Sequence, residues 1–326
     1  MRNAILLFLS ALLLFAGGSA WIALYPTIPD DLGGVENFDD KAQRVRIPVG
    51  GTDHLDGWFL PGRLDGTVIL FAGYARDHRR VWRYGRFLHE QGLNVLTVDF
   101  RSARRVDRKP TTLGHWELED ARATLDWLRR QPALGARPVA LFGESLGGAV
   151  ALALAAERPD VAAVVADCPF ASSDAAIEDG FQFVVRLPAY PLAPIARQMG
   201  RALTGQDPGA FDATAALRAL NGRPVLVIQT KLEDRFSRAQ VQRISAALGL
   251  RGEQWTLEDV KHTETWLRHR SEYEKRVGGF FAAHLGVRAG RSSGTASAAA
   301  TVRTTSGSRP APAAATSVVA GAGGSR

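Results

Sequence analysis

The sequence predicts an α/β fold, with a mostly parallel central sheet, helices on both faces and a small helical insertion. Three observations carry this. From about residue 42 to 287, short apolar runs of strand type alternate with segments whose apolar residues recur at helical spacing. The strand runs are apolar nearly throughout, as in parallel strands covered on both faces. Between residues 171 and 221 the strand rhythm stops, replaced by helical pieces broken at Pro188, Pro191, Pro194 and Pro208.

The chain opens with Met1–Arg2–Asn3 and then stays apolar from Ala4 to Tyr25, interrupted only by Ser10 and by Gly17–Gly18–Ser19. Residues 1–25 are therefore a membrane anchor or a signal peptide. A signal peptide would have its apolar region at Ala4–Ala16 and a cleavage site after Gly18–Ser19–Ala20. An anchor would use the whole stretch to Tyr25, which is long enough to span a bilayer, with Trp21 and Tyr25 at the interface. Apolar character continues past the candidate cut, which favours the anchor. Arg2 lies on one side; Asp30, Asp31, Glu36, Asp39 and Asp40, with no basic residue among them, lie on the other. The positive-inside rule then gives a single-pass protein of the cell membrane with its main domain outside the cytoplasm. Cleavage would instead release a secreted or periplasmic protein.

Arg44–Val49 and His54–Leu60 read as an opening β-hairpin, the second run ending at the Pro61–Gly62 turn. Thr67–Phe71 is a strand, followed by a glycine-bearing turn at Ala72–Gly73–Tyr74–Ala75. Val81 to Gln91 is helical through Val81, Tyr84, Phe87 and Leu88, and Asn94 to Phe100 is a strand. Trp116 to Arg130 is helical through Leu118, Ala121, Leu125 and Leu128. Val139–Phe142 is a buried strand, Gly147–Ala156 a helix packed on the sheet, and Val161–Ala166 a strand ending at Asp167–Cys168–Pro169–Phe170. After the insertion, Pro224–Ile228 resumes as strand, and Ser237–Arg238–Ala239–Gln240 is a capping box opening a helix. Gln254–Leu257 is a short strand, and Leu267–Leu285 is the closing helix. Residues 288–326 are rich in Ser, Thr, Ala, Gly and Pro without an apolar period, so they read as a disordered tail.

The 326 residues, 46% of them hydrophobic, suffice for one sizeable core plus appendages. The net charge of +7 comes from scattered basic residues without runs or interleaved aromatics, which argues against nucleic acid as a partner. Cys168, the one cysteine, can form no disulfide within the chain and reads as a buried small hydrophobe. Cys/His pairs at zinc spacing and His-Glu-x-x-His are both missing from the sequence, so neither a metal nor a cofactor is expected.

The chemistry gathers at Gly143–Glu144–Ser145–Leu146–Gly147. A nucleophile on a tight strand-to-helix turn holds strained backbone angles, and side chains two residues to either side would clash. Glycine at 143 and 147 removes them. Ser145 then stands near the positive end of the following helix. Gly-x-Ser-x-Gly alone is a short pattern with a real chance rate; its strand–turn–helix context raises it above a simple turn before a packed helix.

Such a serine needs a base, and an acid to orient the base, in the chain order Ser, acid, His. His262 sits between the last strand and the last helix, in a loop above the carboxyl end of the sheet where the elbow also opens. His54, His78, His89 and His115 precede the serine, while His269 and His284 fall on the closing helix. Glu233 and Asp234 both follow the strand Pro224–Ile228, and either carboxylate could accept the imidazole N–H. Asp234 is favoured, with Glu233 as the alternative. The oxyanion hole needs two backbone N–H groups, one from Leu146 and one from Tyr74 in the turn after Thr67–Phe71.

Gly143–Glu144–Ser145–Leu146–Gly147–Gly148 looks like the nucleophile elbow of the α/β-hydrolase superfamily. Trp58–Phe59–Leu60–Pro61, Asp99–Phe100–Arg101, Asp167–Cys168–Pro169–Phe170 and His262–Thr263–Glu264–Thr265–Trp266 are similar to landmarks of one branch. That branch holds serine esterases and acyl hydrolases related to the Bem46-like and serine aminopeptidase-like membrane-anchored hydrolases. The resemblance covers residues 42–287 and implies an α/β-hydrolase fold. Two departures stand out. Ala72–Gly73 replaces the usual His-Gly, and Gln229–Thr230–Lys231–Leu232–Glu233–Asp234 replaces the usual His-Gly, two residues and Asp. Glu233 fits the count from the strand; Asp234 fits the downstream spacing to a large apolar residue, Phe236.

The expectation is a serine hydrolase of carboxylic esters or thioesters, acting on a small-molecule or lipid-like acyl substrate through an acyl-enzyme on Ser145. A peptidase on the same fold, a catalytically silent binding protein and a haloperoxidase- or lyase-like use of the site are the alternatives. Specificity falls to the insertion, whose Phe181, Phe183 and Leu187, with Phe170 before it, either line a pocket or build the insertion's own core. The second reading is favoured.

Overall fold

The computed structural model describes residues 1–29, 41–220, 222–250 and 252–286. The acidic stretch 30–40 and the tail 288–326 lie outside these, as do the topology and disorder expectations built on them.

One sheet holds eight strands. They are β1 (Gln43–Pro48), β2 (His54–Leu60), β3 (Thr67–Phe71), β4 (Asn94–Val98), β5 (Val139–Glu144), β6 (Val161–Asp167), β7 (Val225–Thr230) and β8 (Glu253–Leu257). Their spatial order is β1-β2-β4-β3-β5-β6-β7-β8. The β1–β2 hairpin and the β2–β4 pairing are antiparallel; every pairing from β4 to β8 is parallel. The carboxyl ends of β3, β5, β7 and β8 therefore open on the same edge of the sheet.

Side chains that alternate along the buried strands divide the core in two. Ile69, Phe71, Val139 and Leu141 face one cluster, under α3 (His115–Arg129), α4 (Leu146–Glu157), α7 (Ala213–Ala219) and α8 (Arg238–Leu248). Val68, Leu70, Ala140 and Phe142 face the other, under α2 (His78–Glu90) and α10 (Arg270–His284). The helices bury the stripes their spacing predicts: Leu118, Ala121, Leu125 and Leu128 on α3, and Val81, Tyr84, Phe87 and Leu88 on α2. Helices on both faces explain why the central strands carry no polar side.

Two local expectations are corrected. The closing helix is broken: α9 (Thr265–Arg268) stops at His269, whose Nε2 meets Asp259 at 2.9 Å, and α10 starts afresh. Ser237 does precede α8, but no capping box forms. Gln240 turns instead to the insertion. Its Oε1 accepts from the Ala171 N–H at 3.0 Å, and its amide joins the Ser237 N–H in donating to Asp179. A buried carboxylate is the stronger acceptor, so the tertiary partner displaces the local one.

The insertion comprises α5 (Ser173–Asp179), a π-helical turn at Gly180–Val185, α6 (Ala189–Thr204, non-helical at Tyr190) and α7. It forms a cap. Phe170 and Phe181 are buried, whereas Phe183 and Leu187 are exposed, so the four candidates divide between core and surface. α1 (Arg2–Leu24) lies against this cap, where Ala16 and Ala20 cluster with Phe181, Leu192, Ala193 and Ala196.

Gln240→Leu leaves the Ala171 N–H and the Asp179 carboxylate short of partners. Unfolding in urea should show a loss of about 1–3 kcal/mol, with faster proteolytic nicking of the cap.

Candidate active site

β5 ends at Glu144 and α4 begins at Leu146, so Ser145 alone makes the turn, at φ 54° and ψ −115°. That region is strained for any residue bearing a Cβ. It persists because the flanking backbone leaves no room to relax. A Cβ on Gly143 would lie 2.1 Å from the Gly147 carbonyl oxygen, and one on Gly147 would lie 2.2 Å from that of Phe71. The Ser145 N–H donates to the Asp167 carbonyl at 2.8 Å, fixing the elbow to β6.

The His262 ring bridges two groups. Its Nε2 lies 3.0 Å from Ser145 Oγ, and its Nδ1 lies 2.9 Å from Glu233 Oε2. The other Glu233 oxygen accepts the N–H groups of Arg235 and Phe236 at 2.9 and 3.3 Å, which locks the carboxylate in place. Glu233 is 5% exposed at its side chain and His262 11%, so solvent hardly competes for their contact. The ring of Phe236 stands edge-on to the imidazole at 5.0 Å. With Nδ1–H donating to Glu233, Nε2 is left free to accept from the serine hydroxyl.

Asp234 is not part of this line. Its side chain turns outward toward Lys261 Nζ, 3.9 Å away, and is 43% exposed. The favoured acid is thus displaced by its neighbour. One residue further along the loop, the side chain has already turned to solvent, while Glu233 reaches the ring.

Leu146 is the first residue of α4, so its N–H has no acceptor within its own helix. Gly73 packs on the other side of the elbow, where an added Cβ would stand 3.3 Å from Ser145 Cβ. The main chain of Tyr74 follows directly. The Tyr74 hydroxyl reaches away from the elbow and donates to the Ala23 carbonyl at 2.7 Å.

Behind the elbow lies a buried cluster that sequence reasoning missed. Glu144 accepts from Arg80 Nε, Arg83 Nη2 and the Tyr84 hydroxyl, each at 2.9 Å. Arg80 also donates to Thr263 Oγ1 at 3.0 Å. Thr263 follows His262 and holds a left-handed φ of 56°. Burial pushes the Glu144 carboxyl up, but the positive charges of Arg80 and Arg83 outweigh it and hold the group below its usual range. Asp167, alongside, is pushed up to about 6 by burial and then by the Glu144 charge. The only sequence-level hint was a carboxylate at 144 amid an apolar run.

Cys168, Glu233 and His262 offer sulfur, oxygen and nitrogen atoms within 4.8 Å of one another. A metal there would need a thiolate. Burial and the charge of Asp167 push the Cys168 thiol well up, and both imidazole nitrogens are already engaged. The arrangement suits proton transfer along Glu233, His262 and Ser145 better than metal binding.

A family model described as alpha/beta hydrolase fold matches residues 66–244. An uncharacterised Mycobacterium tuberculosis protein, Rv2307c, is 38% identical over 121 residues, 36% of this chain and 42% of its own length. The chain thus spans less than half of that relative. The uncharacterised Bacillus subtilis protein YqkD is 25% identical over 219 residues, 67% of this chain and 71% of its own. The solved Pyrococcus furiosus esterase Pf2001 superposes with a TM-score of 0.65 at 23% identity, covering 80% of this chain and 97% of that one. A proline iminopeptidase from Mycobacterium smegmatis superposes with a TM-score of 0.54 at 16% identity, covering 74% and 99%. At such identities the structural likenesses speak to the fold, and the family match spans more than half of the sequence. The chain belongs to the alpha/beta hydrolase fold family.

Proposed function

We propose that the protein is a serine hydrolase of carboxylic esters or thioesters, held at the membrane by α1, with Ser145, His262 and Glu233 as its catalytic residues. The observation that carries this is the unbroken hydrogen-bonded line from Glu233 through His262 to a serine on a strained elbow. Ser145 Oγ attacks the acyl carbon while His262 Nε2 takes its proton. Glu233 keeps Nδ1 protonated and stabilises the imidazolium that forms. The N–H groups of Leu146 and Tyr74 hold the oxyanion. The imidazolium returns its proton to the departing alcohol or thiol. A water that gives its proton to Nε2 then attacks the acyl-enzyme, releasing the carboxylic acid and restoring Ser145. The chemistry draws on no cofactor.

Glu144, Arg80 and Arg83 act as positioning residues. They join the elbow to Thr263 and so hold His262 at hydrogen-bond distance from Ser145. The membrane reading rests on α1, an N-terminal helix of 23 residues with mean hydropathy 2.2, long and apolar enough to cross a bilayer. It fits the membrane-anchored, Bem46-like branch, and Arg2 at the N-terminal end favours a hydrolase domain outside the cytoplasm. An acyl substrate of lipid-like character is the class such a placement offers.

Ser145→Ala should abolish labelling by a fluorophosphonate probe and turnover of p-nitrophenyl esters; persistent labelling, or turnover of amino-acyl arylamides without esters, overturns the assignment. Glu233→Gln should lower kcat by about 10³–10⁴-fold, while Asp234→Asn leaves it near wild type. The reverse pattern would return the acid role to Asp234.

Glu144→Gln strips two buried guanidinium groups of their counter-charge and should cost about 3 kcal/mol in chemical unfolding, with a fall in kcat exceeding any change in KM. It should also flatten the acid limb of stability. Because the folded carboxyl sits below the ordinary value of about 4.3, the unfolded chain binds a proton first as pH falls. Wild-type stability therefore drops as pH falls through that window, and the variant's drops less.

A further inference from the structure

α1 does not stand clear of the domain it carries. Residues 1–11 are all exposed, after which Leu12, Ala16, Ala20 and Leu24 turn inward, one per helical turn. Ala16 and Ala20 pack on Leu192, Ala193 and Ala196 of α6, and a Cβ on Gly17 would meet the Met199 methyl at 2.4 Å. Small residues on both helices permit this close approach. The far end of α1 is pinned as well. Besides Tyr74 on Ala23, the Thr111 N–H donates to the Leu24 carbonyl at 2.8 Å, and Arg108 donates to that of Pro26.

This packing sets the depth of the cap. A helix of 23 residues is about 35 Å long against a hydrocarbon core of about 30 Å. With Trp21 and Tyr25 at headgroup level, Ala16 lies about 8 Å and Leu12 about 14 Å deeper. The contact with α6 occupies that same stretch, so a bilayer that takes up α1 must also take up the adjoining cap. The cap's surface is built accordingly. Phe183, Val184, Val185, Leu187, Tyr190 and Leu203 are exposed by 38 to 81%, on the segments that supply Phe181 and Ala196 to the contact with α1. Large apolar side chains this exposed on adjoining segments point to an interaction surface. Its charges agree. Arg197 is neutralised by Asp174 and Asp207 at 2.8 and 2.7 Å, leaving Arg186 and Arg201 exposed, with long stems that can reach anionic headgroups.

We propose that α1 and the apolar surface of the cap form one continuous face embedded in the leaflet nearest the domain, in an anionic phospholipid membrane. The inference rests on reading α1 as the membrane anchor. It places the turn of Gly73 and Tyr74, which touches Ser145 on one side and α1 on the other, at headgroup level. An amphiphilic ester then reaches Ser145 from the leaflet without crossing bulk water.

The test uses the full chain in vesicles of phosphatidylethanolamine and phosphatidylglycerol. Single cysteines at Leu7→Cys, Val184→Cys, Leu203→Cys and Glu157→Cys each carry a polarity-sensitive fluorophore, and the buried Cys168 serves as the unlabelled control. The expected result is a blue shift and quenching by lipid-borne quenchers at 7, 184 and 203, with neither at 157. A shift at 7 alone overturns the embedded cap while leaving the anchor intact. No shift at any position overturns both, and ester turnover by the same samples reports separately on the hydrolase assignment.

Discussion

The site depends on one close approach of backbone to backbone. Phe71 of β3 and Gly143 of β5 are parallel neighbours in the sheet, and Gly147 at the start of α4 comes down directly upon them. With no Cβ on either glycine, the helix starts one residue after the strand ends, and Ser145 has no conformation open to it except the strained one. Parallel pairing does the rest. The carboxyl ends of β3, β5, β7 and β8 share an edge, so the turn bearing Tyr74, the elbow, the Glu233 loop and the His262 loop converge without any long connection.

Convergence alone does not set a hydrogen-bond distance. The His262 loop is irregular and follows a short edge strand, so something must hold it to the elbow. Glu144 does so through Arg80 and Arg83. The carboxylate is part of the elbow, the guanidinium groups belong to α2, and Arg80 ends on the residue after His262. A buried ion cluster of this kind contributes little net stability. Its value is geometric, since each group has a fixed partner and removing any one leaves a charge stranded. Asp167 shares the region, and burial together with the charge of Glu144 pushes its carboxyl up to about 6.

The strands and helix faces were legible because burial writes itself into composition: Thr67–Phe71 begins and ends where its apolar run does. The elbow was legible because glycine is the only residue the approach admits. The acid was not. Glu233 and Asp234 are adjacent and equally acidic, and which one faces the ring depends on how the loop turns after Thr230. The count from the strand favoured Glu233. The spacing to Phe236 pointed to Asp234, yet Phe236 packs against the imidazole itself. Arg80 and Arg83 were missed because helical arginines are ordinarily solvated, and their inward turn depends on a partner over 60 residues away. Gln240 failed for the same reason. Its local partner lost to Asp179, a carboxylate that only folding brings near.

The contact between α1 and the cap was illegible because an all-round apolar helix has no distinct face. Only the small residues Ala16, Gly17 and Ala20 hinted at a neighbour. Through that contact, α1 and the candidate site are linked. Gly73 packs on the elbow while the hydroxyl of the next residue, Tyr74, holds the end of α1, so one turn touches both. On the opposite side, Phe170 stands edge-on to Phe211 and to Phe236, and Phe236 meets His262. Phe211 of the cap thus connects to the His262 ring through Phe170 and Phe236 in turn. Displacement of α1 or the cap is thereby coupled to Ser145 through Gly73 and Tyr74, and to His262 through Phe170 and Phe236.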